Sequence, residues 1–66
     1  MSAVREAMVK LAKVRFGKDL RPVRNHKSLD QCFTDYDGEL ILWFNTPDHS
    51  THIVSSKHIT EEALHA

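Results

Sequence analysis

An α+β fold is predicted: an N-terminal amphipathic helix packed on a small three-stranded antiparallel meander, with a short C-terminal helical tail. Three observations predict it. Apolar residues recur at helical spacing over residues 3–16. The longest apolar run, Leu40-Ile41-Leu42-Trp43-Phe44, starts just after Asp37-Gly38, a two-residue hairpin turn signal. That run ends at Asn45-Thr46-Pro47-Asp48, a cluster of turn residues, and a second β-rich run, Thr51–Ser56, follows at hairpin distance. The chain reads as one domain over residues 1–66: helix 3–16, connection 17–31, sheet 32–56 and tail 57–66.

In the helix, Val4, Ala7, Met8, Leu11, Val14 and Phe16 form the apolar stripe, and Arg5, Glu6, Lys10 and Lys13 cover the other side. Ser2 suits the N-cap, and Gly17 suits the left-handed position just past the C-terminus. Lys18–Lys27 has no clear period and reads as a connection, extended around Arg21-Pro22, with Leu20 and Val23 as its anchors. Ser28 and Gln31 match a capping box, so one helical turn over Leu29–Gln31 is expected before a strand that starts at Cys32. In the tail, Thr60 caps a short helix whose first turn carries Glu61 and Glu62.

Counting from the turns gives a strand register. Across Asp37-Gly38, Tyr36 should face Glu39, Thr34 Ile41 and Cys32 Trp43, with Asp35 facing Leu40 and Phe33 facing Leu42. A four-residue loop over Pro47–Ser50 would set Thr46 against Thr51, Phe44 against Ile53 and Trp43 against Val54. One sheet face then carries Phe33, Leu40, Leu42, Phe44 and Ile53, and the other Cys32, Tyr36, Ile41, Trp43 and Val54. Both faces are apolar at the centre, yet one helix shields only one of them.

Composition limits the possibilities. Sixty-six residues with 41% hydrophobic and 27% charged side chains describe a small globular chain of marginal stability. The single Cys32 excludes an internal disulfide, and no Cys-x-x-Cys pair is present for structural zinc, so self-association is the remaining way to enlarge the core. No run approaches the ~20 apolar residues of a bilayer span. The charged N-terminus does not look like a secretory signal, and a cytoplasmic location is the expectation. Net charge is zero but unevenly placed. Residues 1–30 hold eight Lys/Arg and three Asp/Glu, net +5, while residues 31–66 hold one Lys and six Asp/Glu, net −5. This asymmetry points to docking of one half on the other, or to an anionic partner for the basic half.

Several residue sets could carry chemistry. His49 and His52, with Asp48 or Asn45, supply metal-ligating types, but their spacing matches no established zinc pattern. Asp48, Ser50 and His52 have the composition of a hydrolytic triad, crowded onto one turn without a nucleophile elbow. Cys32 lies among apolar and acidic neighbours that disfavour a thiolate, so it reads as a small core residue. No catalytic residue, cofactor or metal is assigned, and the expectation leans away from an enzyme. Arg15, Lys18, Arg21, Arg24 and Lys27 recur every three residues, a ladder that could follow phosphates; no aromatic platform lies between Lys18 and Lys27. Tyr36, Ile41, Trp43 and Val54 form a second apolar face that is either an interface or covered by the Leu20–Leu29 segment. The expectation is therefore a non-enzymatic binding or assembly module, homodimeric through that face, or else a small nucleic-acid-binding or regulatory protein that uses the basic half.

Overall fold

The computed structural model describes residues 3–59. Helix α1 (Ala3–Phe16) is followed by a connection, a 3-10 turn over Leu29–Cys32, and strands β1 (Phe33–Tyr36), β2 (Glu39–Asn45) and β3 (Thr51–Ser55). The three strands form an antiparallel sheet in the order β1-β2-β3, with α1 on one face. A second 3-10 turn, Ser56–His58, follows β3. The expected N-cap at Ser2 and the tail helix capped by Thr60 lie outside the described residues. No helix among the described residues is long and apolar enough to cross a membrane.

Helix α1 has the predicted bounds but a different buried stripe. Met8 and Ala12 are fully buried, with Val4, Val9 and Leu11 packed around them. Val14, expected inside, is 82% exposed. At ~100° per residue, Val14 lies about 200° around the helix from Ala12, on the opposite side of the row that Val4, Met8, Ala12 and Phe16 make at four-residue spacing. The helix crosses the sheet from edge to edge. Arg5 sits over the Phe33 ring at 5.3 Å, and Phe16 meets Phe44 and His52 at 5.2 and 4.4 Å between ring centroids. Gly17, at φ 99°, ends the helix as expected and returns its N–H to the Lys13 carbonyl at 2.9 Å.

The first hairpin has the register counted from the sequence: Phe33 opposite Leu42, Thr34 opposite Ile41, Asp35 opposite Leu40 and Tyr36 opposite Glu39. Asp37 (φ 52°) and Gly38 (φ 79°) both lie in the left-handed region, as a type I′ turn requires. Only the expected Cys32–Trp43 pair is missing, because the 3-10 turn runs one residue further than predicted and takes Cys32. The capping box also shifts: Gln31 Oε1 accepts from the backbone N–H of Lys27 at 2.7 Å, not from Ser28. A Cβ at Gly38 would meet nothing within 4 Å, so substitution there tests backbone strain alone. Gly38→Val should lower stability by at least ~1 kcal/mol, read as a lower urea midpoint; an unchanged midpoint would rule the turn out.

The second hairpin is displaced by one residue from the predicted pairing. Asn45 faces Thr51, Phe44 faces His52, Trp43 faces Ile53 and Leu42 faces Val54. The loop is shorter than expected: Pro47, Asp48 and His49 are closed by Thr46 N–H to Ser50 O at 3.0 Å and by His49 N–H to Thr46 O at 2.9 Å. Three-residue loops of this kind end on a left-handed residue, usually Gly; here His49 takes that place at φ 68°. A one-residue slip turns every side chain of β3 over. Val54, expected on the uncovered face, is therefore fully buried beneath the helix, and Ile53 takes its place outside at 47% exposure. Met8, Ala12, Val23, Cys32, Leu42, Phe44 and Val54 make up the buried core.

Candidate functional site: the groove on the outer sheet face

The face of the sheet away from α1 carries Thr34 and Tyr36 from β1, Ile41, Trp43 and Asn45 from β2, and Thr51 and Ile53 from β3. Its chemistry differs from one end to the other. Towards the Asp37-Gly38 turn it mixes apolar and polar groups: Tyr36, 73% exposed, lies opposite Glu39, and half-buried Ile41 lies opposite Ser55. Towards the end of β2 it is walled in.

The wall comes from the connection. Arg21 pairs with Asn45 as an isolated antiparallel bridge, Arg21 N–H to Asn45 O at 2.9 Å and Asn45 N–H to Arg21 O at 2.8 Å. This fixes Leu20–Val23 alongside β2 where β1 does not reach. Residues opposed in such a bridge share a face, so Arg21 lies on the Trp43 side of the sheet. Immediately afterwards the chain turns back, with His26 N–H bonded to Val23 O at 3.2 Å and Arg24 held at φ 56°. Val23 packs into the core, while Arg24 and His26 stand at the rim of a groove of about 270 Å³. Trp43, Asn45 and Thr51 contribute sheet residues to that groove, and Gln31 and Cys32 close it from the 3-10 turn. No carboxylate is among the lining residues.

Hydrogen bonds fix the polar groups here. Trp43 Nε1–H donates to Thr34 Oγ1 at 2.9 Å, which holds the indole in one orientation; the residue is 37% exposed. Thr51 Oγ1 donates to Asn45 Oδ1 at 2.7 Å. With their oxygens engaged, Asn45 and Gln31 offer their NH₂ groups as donors. Cys32 is 2% exposed, and its Sγ–H points to Ser28 O at 3.4 Å, the buried small-residue role expected from sequence.

The other candidate sets are not brought together as functional sites. His52 lies on the helix face against the Phe16 and Phe44 rings, whereas His49 occupies the loop. Among the described residues no group of three His, Cys, Asp or Glu side chains could hold a metal ion. Asp48 bonds to Ser50 directly, N–H and Oγ both at 3.2 Å, and also accepts from Thr46 Oγ1. The carboxylate therefore closes the loop, while His52 is engaged elsewhere. Thr46, followed by Ser50, holds the Asp48 carboxyl below the 3.8 usual for aspartate. Lys57, at 3.0 Å, and then Ser55 hold Glu39 below 4.5.

A depressed folded-state pKa contributes stability above the unfolded pKa and loses it as pH falls through the folded value. Asp48→Asn should therefore be less stable than the parent near neutral pH, and the two should converge below about pH 4. Urea midpoints across that range give the comparison, and a gap that persists at low pH would contradict the assignment.

The basic ladder is not a line. Arg15 belongs to the last turn of α1, Lys18 lies beyond the helix, Arg21 is in the bridge and Arg24 is in the turn. Arg21 and Arg24 are the members placed at the outer face. The two halves do not dock through ion pairs: among the described residues, Arg21 pairs with Asp19 at 3.4 Å and Lys57 with Glu39, each within its own half. Sequence reasoning missed Gln31, His26, Thr34, Thr51 and Ile53 as site residues and named Asn45 only as a third metal ligand beside His49 and His52. Thr34 already shares the Trp43 face in the first-hairpin register, and correct counting of the second loop would have added Thr51 and Ile53; His26 and Gln31 depend on the Arg21–Asn45 bridge, which has no local signal.

Comparison with family models, curated proteins and solved structures finds no match for this chain.

Proposed function

We propose that the protein is a small non-enzymatic binding module whose recognition surface is the groove end of the outer sheet face. The observation that carries this reading is the groove itself: an oriented tryptophan lining the same groove as Arg24, with amide donors and no lining carboxylate. Its volume is near the lower end of the roughly 300–1,000 Å³ usual for ligand pockets. An indole face favours a flat apolar body, and a guanidinium favours phosphate or carboxylate. The ligand therefore joins a ring to an anionic group.

Titration with phenyl phosphate, followed by amide and indole NMR shifts, tests this. Shifts should be confined to Arg24, Thr34, Trp43, Asn45 and Thr51, and inorganic phosphate alone should be much weaker. Scattered or absent shifts would overturn it.

A homodimer is the second reading, favoured by the exposed cross-strand pair Trp43–Ile53 with Ile41 and Tyr36 beyond it. A twofold contact needs one self-complementary patch. The Val23–His26 wall argues against a flat contact over the whole face and leaves the Tyr36 end for such a pairing. Sedimentation at tens of micromolar, with Ile53→Glu as the disrupting variant, distinguishes a dimer from a monomer.

A further inference from the structure

We propose that the groove binds single-stranded nucleic acid, with one unpaired base against Trp43, one phosphate at Arg24 and the next at Arg21, outside the groove, whose guanidinium would exchange its exposed 3.4 Å pairing with Asp19 for that phosphate; this rests on the groove being the recognition surface. Recognition of single strands combines a basic track with aromatic platforms on which bases stack. In sequence the two parts are far apart, Arg24 nineteen residues before Trp43. The Arg21–Asn45 bridge joins them on one face.

Three further observations support this ligand. The first is Arg24 itself. Arginine at φ 56° carries a backbone cost of about 1 kcal/mol, and such strain concentrates at ligand-contacting positions. Here it occurs at a residue that lines the groove. Second, Trp43 is held in place before any ligand arrives by its bond to Thr34, so little side-chain freedom is lost on stacking.

The third is the donor balance. Asn45 and Gln31 have their amide oxygens engaged and present NH₂ groups, and Arg24 adds further donors. An acceptor-rich ligand suits such a site: phosphate oxygens, and a base with carbonyls on its edge. Thymine and uracil carry two ring carbonyls, and their single strands are flexible, whereas the bases of oligo(dA) stack on one another and must be separated before one can reach the indole. A base inside a duplex is stacked on both faces and cannot reach the indole, so the site selects unpaired strands.

The test uses the whole chain with oligo(dT), oligo(rU) and oligo(dA) of about ten nucleotides, the dT·dA duplex, and thymidine monophosphate. Trp43 emission and the NMR shifts of Thr34, Trp43 and Asn45 are the readouts. Oligo(dT) or oligo(rU) should quench Trp43 and bind more tightly than oligo(dA), the duplex or the mononucleotide; comparison of dT with rU shows which sugar is preferred. With two phosphates engaged, affinity should fall about sevenfold between 50 and 200 mM salt. Arg24→Gly relieves the positive φ, so the fold is kept. It should nevertheless weaken oligo(dT) binding and lower the logarithmic salt slope by about 0.7.

Equal affinity for duplex and single strand would overturn the proposal, as would oligonucleotide shifts mapping to α1. If phenyl phosphate and thymidine monophosphate bind in the groove but added nucleotides bring no gain, nucleic acid is excluded and the groove remains a small-ligand site. If none of the probes perturbs Trp43, both readings fall.

Discussion

Val54→Asp should leave the chain unfolded at room temperature, whereas Ile53→Asp should fold. Val54 is fully buried, opposite Leu42 beneath the helix, and its neighbours offer an aspartate no partner. An unpaired buried polar group or charge belongs to the class of substitutions that cost more than about 4 kcal/mol. At roughly 0.05–0.15 kcal/mol per residue, a chain of this length holds about 3–10 kcal/mol in total. Ile53, one position away, points to the other face and is 47% exposed, so its replacement costs about 1 kcal/mol, mainly in strand propensity and its contact with Trp43. The pair is a direct assay of register. Pairing of Phe44 with Ile53 would interchange the two results. Far-UV circular dichroism with urea titration of both variants decides it.

Phe44→Ala should have a comparable effect, about 3–5 kcal/mol, from lost transfer energy and the cavity left behind. Phe44 is fully buried near the end of the central strand, its ring 5.2 Å from Phe16 and 5.8 Å from His52. The loss therefore also removes the aromatic contacts by which the end of the helix is held. Phe44→Leu keeps more of the volume and should cost considerably less. Phe16→Ala, at a residue 36% exposed, should lie between that and no effect. Urea midpoints for the three variants should rank Phe44→Ala lowest. If Phe16→Ala proves the most damaging, the core is centred elsewhere.

These two cases show what the residue order could and could not reveal. The α1 bounds, the antiparallel order and the first hairpin from Phe33 to Leu42 follow from local patterns, because Asp37-Gly38 specifies its turn chemically. At the second turn the left-handed position is filled by His49, where Gly would have marked it, and Ser50 reads as one more loop residue. The count then errs by one, and period-two alternation carries the error into every residue of β3. Val14 misleads for a related reason: it continues a seven-residue apolar spacing from Ala7, but the helix buries the row through Met8 and Ala12. The groove was the least legible feature. Trp43 stood out as an apolar residue on an uncovered face, and Arg24 as one rung of a basic ladder. Their proximity is a product of the long-range Arg21–Asn45 bridge, which alternation and turn propensity do not encode.

That bridge also bears on how the chain behaves in the company of its own copies. Leu40–Phe44 is the segment best suited to cross-β stacking: apolar, β-prone and uncharged. β1 pairs with β2 only as far as Leu42, so the end of β2 would otherwise offer bare peptide groups to any passing strand. Arg21 occupies the Asn45 peptide groups instead. Pro22 comes next in the chain and brings no N–H with which to extend a ladder. The connection thus caps the stickiest strand with one residue's worth of pairing and then stops, a safeguard of colloidal solubility built from a segment that has neither helix nor strand of its own.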